Sequence, residues 1–385
     1  MLETGLRKFV APEYVFGLGA RKLTGQYARK LGGRKLLVVS DPGVIAAGWT
    51  ADVIAAIEEE GLTYAVFSDV SPNPRAAEVM TGAAFFEQEN CNMLVAVGGG
   101  SPIDCAKGIG IVSSNRRHIL EFEGVDQVTS PIPPLICIPT TGGTAADVSQ
   151  FAIITDLRER VKIAIVSKAV VPDLALIDPE TLVSMSPYLT ACTGMDALTH
   201  AIEAFVSNAH SPMTDIHALE AIRLLSRNLV PSVRNPEDLH LRTQVMLASL
   251  QAGLAFSNAI LGATHAMAHS LGGYLDLPHG ECNAILLDHV VAYNMASVPE
   301  RFNAIAEALG VDLRGLAGRQ REMALLNKLR DLKRTVGIDR HLGALGVSRS
   351  DLSMLSRHAV ADACLVTNPR TAGPRDIEAI YEEAL

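Results

Sequence analysis

Runs rich in β-branched and aliphatic residues punctuate the first half of the chain and then stop. Lys35–Ser40 (KLLVVS), Tyr64–Ser68, Met93–Val97 and Leu135–Pro139 read as strands, and Ala51–Glu60 and Ala76–Asn90 between them read as helices. Strand–helix alternation at this spacing predicts a parallel sheet with helices on its faces. Three further runs, Phe151–Thr155, Lys162–Val166 and Leu174–Ile177, are joined by short connections. Short connections predict an antiparallel excursion instead of another crossover unit. After Asp178-Pro179-Glu180 no comparable run appears, and from about Leu189 long Ala/Leu-rich periodic segments predict helix after helix. The shift near Pro187 divides the 385 residues into an α/β part, 1–187, and an all-helical part, 188–385. With no Gly/Ser linker between them the parts should pack closely, and a cleft at their junction is where a ligand is expected.

Composition removes several function classes. An apolar fraction of 48% and a charged fraction of 19% suit a chain with substantial buried cores. The net charge of −9, with no Lys/Arg block, is the wrong balance for nucleic acid, so small molecules are the expected partners. The six cysteines are scattered without a C-x-x-C pair, which fits a reducing compartment and not a disulfide framework. MLETGLRKFV has no signal-peptide layout, so a cytoplasmic location is expected. Thr243–Leu275 lacks any Asp, Glu, Lys or Arg and is long enough to span a bilayer. Gln251, Asn258, two histidines and frequent glycine interrupt it, which favours a buried helical hairpin over a membrane span.

Two loops after strands could hold phosphate. Met93–Asp104 (MLVAVGGGSPID) runs from an apolar strand into three glycines, which permit a tight turn and close ligand approach. Ser101 suits a helix N-cap and Pro102 the first helical position, so a helix N-terminus would face a pyrophosphate. The same residues also describe a plain strand–turn–helix junction, and they are not the G-x-G-x-x-G fingerprint. Ile138–Thr144 (IPTTGGT) adds Thr140, Thr141 and Thr144, although Thr/Gly loops are common turns. Asp41, at the end of KLLVVSD, could accept hydrogen bonds from an adenosine ribose and repel a 2′-phosphate, favouring NAD over NADP. It could equally initiate a turn before Pro42.

A second constellation lies in the helical part. Asp196 and His200 are four apart, as are His265 and His269, and His279 sits between Pro278 and Gly280 at a loop or helix start. One carboxylate and several imidazoles form an O/N set suited to Fe(II) or Zn(II). Simple hydrogen-bonded pairs would show the same spacing, which does not say which three histidines bind.

These motifs resemble the iron-containing (group III) alcohol dehydrogenases over essentially the whole chain. The resemblance rests on GGGSPIDCAKG (98–108), PTTGGT (139–144), GMDALTHAIEAF (194–205), GATHAMAHSLGG (262–273), PHG (278–280) and NPR (368–370). It implies a Rossmann-like NAD-binding α/β domain followed by a helical metal domain, an architecture shared with dehydroquinate synthase. It implies Asp196, His200, His265 and His279 as metal ligands, with His269 as a proton-relay or substrate-side group. Asp41, Gly99, Gly100, Ser101, Thr140, Thr141 and Lys162 fall on its cofactor positions. Phe151, Phe256 and Cys364 fall where a substrate pocket would be lined, although each is also an ordinary core residue type. There are departures. The threonine loop reads PTTGGTAADVS against the family's more usual PTTAGTGSEVT, so Ala145 replaces glycine and Asp147 stands for glutamate.

The implied activity is NAD-dependent interconversion of an alcohol with its aldehyde or ketone, in a homodimer or larger homo-oligomer. Rivals on the same fold are a glycerol or diol dehydrogenase, a metal-free maleylacetate reductase and dehydroquinate synthase. From another class comes a noncatalytic NAD-binding scaffold. The full Asp-His-His-His set speaks against the metal-free and noncatalytic readings.

Overall fold

The computed structural model describes residues 8–385. The first seven residues, and with them most of the segment read as lacking a signal layout, lie outside that range. Among the described residues there are nine strands: β1 (Glu13–Phe16), β2 (Lys35–Val39), β3 (Thr63–Phe67), β4 (Met93–Gly98), β5 (Gly124–Val125), β6 (Leu135–Pro139), β7 (Phe151–Asp156), β8 (Val161–Val166) and β9 (Leu174–Ile177). Helices α1 (Thr24–Lys30), α2 (Pro42–Ala46), α3 (Trp49–Glu59), α4 (Ala76–Gln88) and α5 (Gly100–Asn115) alternate with the first strands. The helical part comprises α6 (Pro187–Val206), α7 (Pro212–Arg234), α8 (Leu239–Ala259), α9 (Ala263–Leu275), α10 (His279–Asn294), α11 (Pro299–Ala308), α12 (Arg319–Thr335), α13 (Leu352–Ala361) and α14 (Pro374–Ala384).

Six strands form one parallel sheet in the order β1-β9-β6-β4-β2-β3. The chain runs outward from β2 to β3 and then returns to the other side of β2 as β4. That reversal opens a crevice beyond the carboxyl ends of β2 and β4, the usual ligand position in an open α/β sheet. Asp41 and Gly98–Gly100 are the residues that leave those two ends.

Only part of the expected antiparallel excursion forms. β7 and β8 make an antiparallel hairpin in a second sheet, with Thr155 opposite Lys162. Leu174–Ile177 instead returns to the parallel sheet between β1 and β6. Asp173 anchors it there: its backbone N–H donates to Leu135 O, and its carboxylate accepts from the Leu135 N–H. LALI is also buried at all four positions, as a strand covered on both faces must be.

Serine and proline start the helical part. Ser186 caps α6 by accepting from the Leu189 N–H, with Pro187 next, and Ser211 and Pro212 repeat the device on α7. The uncharged stretch forms α8 and α9, which meet at 102° after Ile260 adopts a φ of 61°. Among the described residues no single helix is long and apolar enough to cross a membrane. One core cluster joins Ala145, Val148 and Phe151 to Met195, Phe256 and Leu287, so the two parts share packed interior.

Candidate metal centre and cofactor cleft

Three helices converge on Asp196. It sits on α6 with His200 one turn later and Glu203 one turn beyond that, on one face. Helix α9 contributes His265 and His269, and α10 begins with His279. A Cβ on Gly280 would lie 2.1 Å from Cys192 O, so only glycine lets α10 start this close to α6. Asp196 Oδ1 lies 3.7 Å from His265 Nε2, 3.9 Å from His279 Nε2 and 4.0 Å from His200 Nε2. Donors that share a cation at about 2.1 Å stand roughly 3–4 Å apart. The ligand atoms of Asp196, His265 and His279 lie within 4.8 Å of one another, and His200 Nε2 stands beside that group, 4.0 Å from Asp196.

The second nitrogens of two of these rings are committed, while His279 Nδ1 is buried without a hydrogen-bond partner. His200 Nδ1 lies 3.2 Å from Gly143 O, and His265 Nδ1 lies 2.6 Å from Glu203 Oε2. Each bond places the proton on Nδ1 and turns the Nε2 lone pair inward, the arrangement metal-binding histidines use. The Asn283 amide adds a donor to Asp196 Oδ1 at 2.7 Å, close to Nε2 of both His265 and His279. Phe256 stacks on His200 at 4.2 Å and His200 on His265 at 4.5 Å, which fixes the ring planes.

Charge follows the geometry. Burial would raise the Asp196 carboxyl, but His200, His265 and His279 hold it well below the usual carboxylate range. Burial pushes His200 down to about 4 and His279 well below the ordinary imidazole value. Burial also opposes a charge on His265, yet its bonds to Asp196 and Glu203 raise it to about 9. An anionic carboxylate and neutral imidazoles are the donor forms a cation requires, and at His265 that cation competes with a proton.

Glu203 escaped the sequence reading. Its carboxylate accepts the backbone N–H groups of Gly262 at 3.0 Å and Thr264 at 2.6 Å, besides the His265 ring. Helix α9 has no side-chain cap of its own, so a residue of α6 supplies it. Asn283 and Asp362 were also missed. Glu203, seven after Asp196, and Asn283, four after His279, carry a helical-spacing signal. Asp362 reaches His269 from 93 residues away and carries none.

From this centre a cleft with a cavity volume of about 100 Å³ reaches the glycine and threonine loops. Gly100, Ser101, Thr144 and Lys162 line it together with Asp196, His200, His265, His269 and His279, and Phe151 and Phe256 add apolar wall. Asp41, Gly99, Thr140 and Thr141 lie outside that lining, as does Cys364, which is fully buried. Helix α5 starts at Gly100 with Gly99 as its N-cap, so the expected Ser101 cap does not form. Ser101 Oγ instead accepts from Asn73 N–H at 3.2 Å. Helix α5 thus begins without a side-chain cap, a setting that suits an anionic ligand. A Cβ on Gly99 would meet Thr141 Cγ2 at 2.8 Å, so the glycine and threonine loops interlock. Thr141 Oγ1 is buried without a protein partner, as expected of a hydroxyl reserved for a ligand. Asp41 caps α2 by accepting from Val44 N–H through Oδ1, the turn-initiating role, which leaves Oδ2 unused by that cap.

Lys162 Nζ donates to Asn73 Oδ1 at 2.6 Å, and burial lowers its pKa. Asn73 in turn donates to Asp276 Oδ1 and Leu277 O across the cleft. The two departures in the threonine loop have structural correlates. Ala145 has a φ of 46°, a left-handed conformation that glycine adopts freely and alanine holds at a cost of about 1 kcal/mol. Asp147 is buried and pushed up to about 6 by that burial.

Comparison with known proteins bears on the family and the fold. The model of the iron-containing alcohol dehydrogenases matches residues 11–179, and that of the C-terminal part of the Fe-containing alcohol dehydrogenase family matches 190–385. The 1,3-propanediol dehydrogenase of Klebsiella pneumoniae is 40% identical over 96% of this chain and 96% of its own. The NAD-dependent methanol dehydrogenase of Bacillus methanolicus is 38% identical over 98% of this chain and 99% of its own. A solved 1,3-propanediol oxidoreductase superposes with a TM-score of 0.95 at 39% identity, covering 99% of this chain and 100% of that one. Sequence and backbone therefore agree along the whole length, and the chain belongs to the iron-containing alcohol dehydrogenase family.

Proposed function

We propose that the protein interconverts an alcohol with its aldehyde or ketone by hydride transfer to and from NAD, assisted by a divalent metal. The observation that carries the reading is the meeting of Asp196, His200, His265 and His279 in a cleft that Gly100, Ser101 and Thr144 of the glycine and threonine loops also line. Asp196 and the three imidazoles would hold the metal, Fe(II) as first choice and Zn(II) as second. When bound, it supplies a Lewis acid for the substrate oxygen. The α5 N-terminus, Thr140, Thr141 and Thr144 would hold the pyrophosphate and the nicotinamide end, and Asp41 the ribose. Lys162 brings its amino group to the cleft wall. Phe151 and Phe256 exclude water and limit the space beside the reacting carbon. His269 takes the hydroxyl proton in oxidation and returns it in reduction. Cys364, fully buried outside the cleft lining, is given no contact with substrate in this reading. We place the boundary between the two domains at 187/188, which the Pro187 start of α6 supports. A diol is the second substrate reading, supported by the propanediol dehydrogenase relative.

Protein loaded separately with Fe(II) and Zn(II) is expected to carry about one metal per chain and to form NADH with a panel of primary alcohols and diols. A chelator should abolish this and metal should restore it; NADH formation untouched by complete metal removal sinks the metal-assisted reading. Asp41→Gly is expected to relax discrimination against NADPH, because the carboxylate no longer repels a 2′-phosphate. Unaltered kinetics with NADPH would take the ribose role from Asp41.

A further inference from the structure

His269 Nδ1 lies 2.8 Å from Asp362 Oδ2. The second carboxylate oxygen, Oδ1, accepts the backbone N–H of Cys364 at 2.7 Å and so caps the short helical turn Ala363–Thr367. Both side chains are buried, 3% and 7% exposed. The His279 ring stacks on His269 at 5.1 Å with an interplanar angle of 15°, which fixes the ring plane. The Asp362 bond fixes which edge of the ring points away from the cleft.

A carboxylate oxygen only accepts, so an ionised Asp362 requires the proton on Nδ1 of a neutral His269. The lone pair then sits on Nε2, the nitrogen left for the cleft. Only this tautomer can accept a proton from a substrate hydroxyl through Nε2. A cap alone would not need this arrangement, because Oδ1 serves the Cys364 N–H and Oδ2 is free to serve the ring.

We infer that Asp362 is a positioning residue that sets the His269 tautomer and presents a basic Nε2 to the substrate oxygen. The inference rests on the proton-carrying role of His269 given above. In oxidation the C–H bond breaks and its electron pair leaves as hydride to NAD⁺, while the C=O bond forms. The O–H proton passes to Nε2 and on to solvent, so alcohol and NAD⁺ become carbonyl, NADH and one proton. Asp362 faces the imidazolium during that step. In reduction the same Nε2–H returns the proton.

Asp362→Asn separates positioning from capping. The Cys364 N–H still needs an acceptor, so the amide oxygen stays on that side and the amide NH₂ turns to His269. A donor there obliges Nδ1 to accept, which moves the ring proton to Nε2. Nitrogen-15 NMR of histidine-labelled, zinc-loaded protein reads this directly, with His269 assigned by its loss in His269→Gln. Wild-type protein is expected to carry the proton on Nδ1 and Asp362→Asn on Nε2. The kcat for alcohol oxidation should fall about 10²–10⁴-fold, as for other mispositioned acid–base histidines. KM, metal content and melting temperature should stay as they were. An Nε2-protonated His269 in the wild-type protein overturns the inference. So does an Asp362→Asn protein that keeps wild-type kcat while His269→Gln does not. A loss of kcat with the tautomer unchanged assigns Asp362 to capping alone and overturns it as well. If His269→Gln turns over normally, the proton-carrying reading falls, and the tautomer spectra still decide what Asp362 does to the ring.

Discussion

Protein carrying His265→Ala is expected to lose its bound divalent metal and about a thousandfold of its turnover, since several kcal/mol of Lewis-acid assistance go with the ion. The imidazole is one of three that converge on Asp196, and of these it alone is also clamped from behind by a carboxylate. Removing it deletes a donor and leaves Glu203 with the backbone N–H groups of α9 as its remaining partners. The helix cap therefore survives, so the variant should fold, which circular dichroism would verify. Metal analysis after dialysis is the direct measurement. A full complement of tightly held metal together with normal kcat would show that His265 is not a ligand.

Glu203→Ala should have the largest effect on stability. The carboxylate is buried, accepts from the first turn of α9 and from the His265 ring, and sits at the positive end of the helix dipole. Deleting it leaves orphaned buried N–H donors, a loss of about 3–5 kcal/mol by analogy with breaking a buried ion pair. Metal affinity should fall about 10–100-fold, because the His265 orientation goes with the carboxylate. Urea unfolding of metal-stripped protein separates the two effects, since a bound ion would add its own stabilisation. A midpoint shift worth less than about 1 kcal/mol would contradict the capping role, because orphaned buried donors cost at least that much.

Sequence patterns that close within one element were legible. LLVV (36–39) and MLVAVG are unbroken apolar runs, and they occupy adjacent buried strands of the parallel sheet. Asp196 with His200, and His265 with His269, were visible because one helical turn brings each pair together. Patterns that depend on a partner elsewhere were not. LALI reads as a strand, but a short connection says nothing of the Asp173 anchor that returns it to β6. EYVF is short and half exposed at the sheet edge, so its sequence differs little from a loop. Asn73 and Asp362 sit in unremarkable stretches and gain meaning only from Lys162 and His269.

Recombination between relatives is the process this architecture penalises. A cut at 187/188 follows the change in secondary structure, yet the interior runs straight through it, from Val148 and Phe151 to Met195 and Phe256. The cleft is divided in the same way, with Asn73 hydrogen-bonded to Asp276 and Lys162 lying against Gly272. A half taken from one lineage would thus meet foreign side chains both in its core and across its cleft. Substrate preference in such a protein should drift by paired changes on the two sides of the seam, not by the exchange of whole halves.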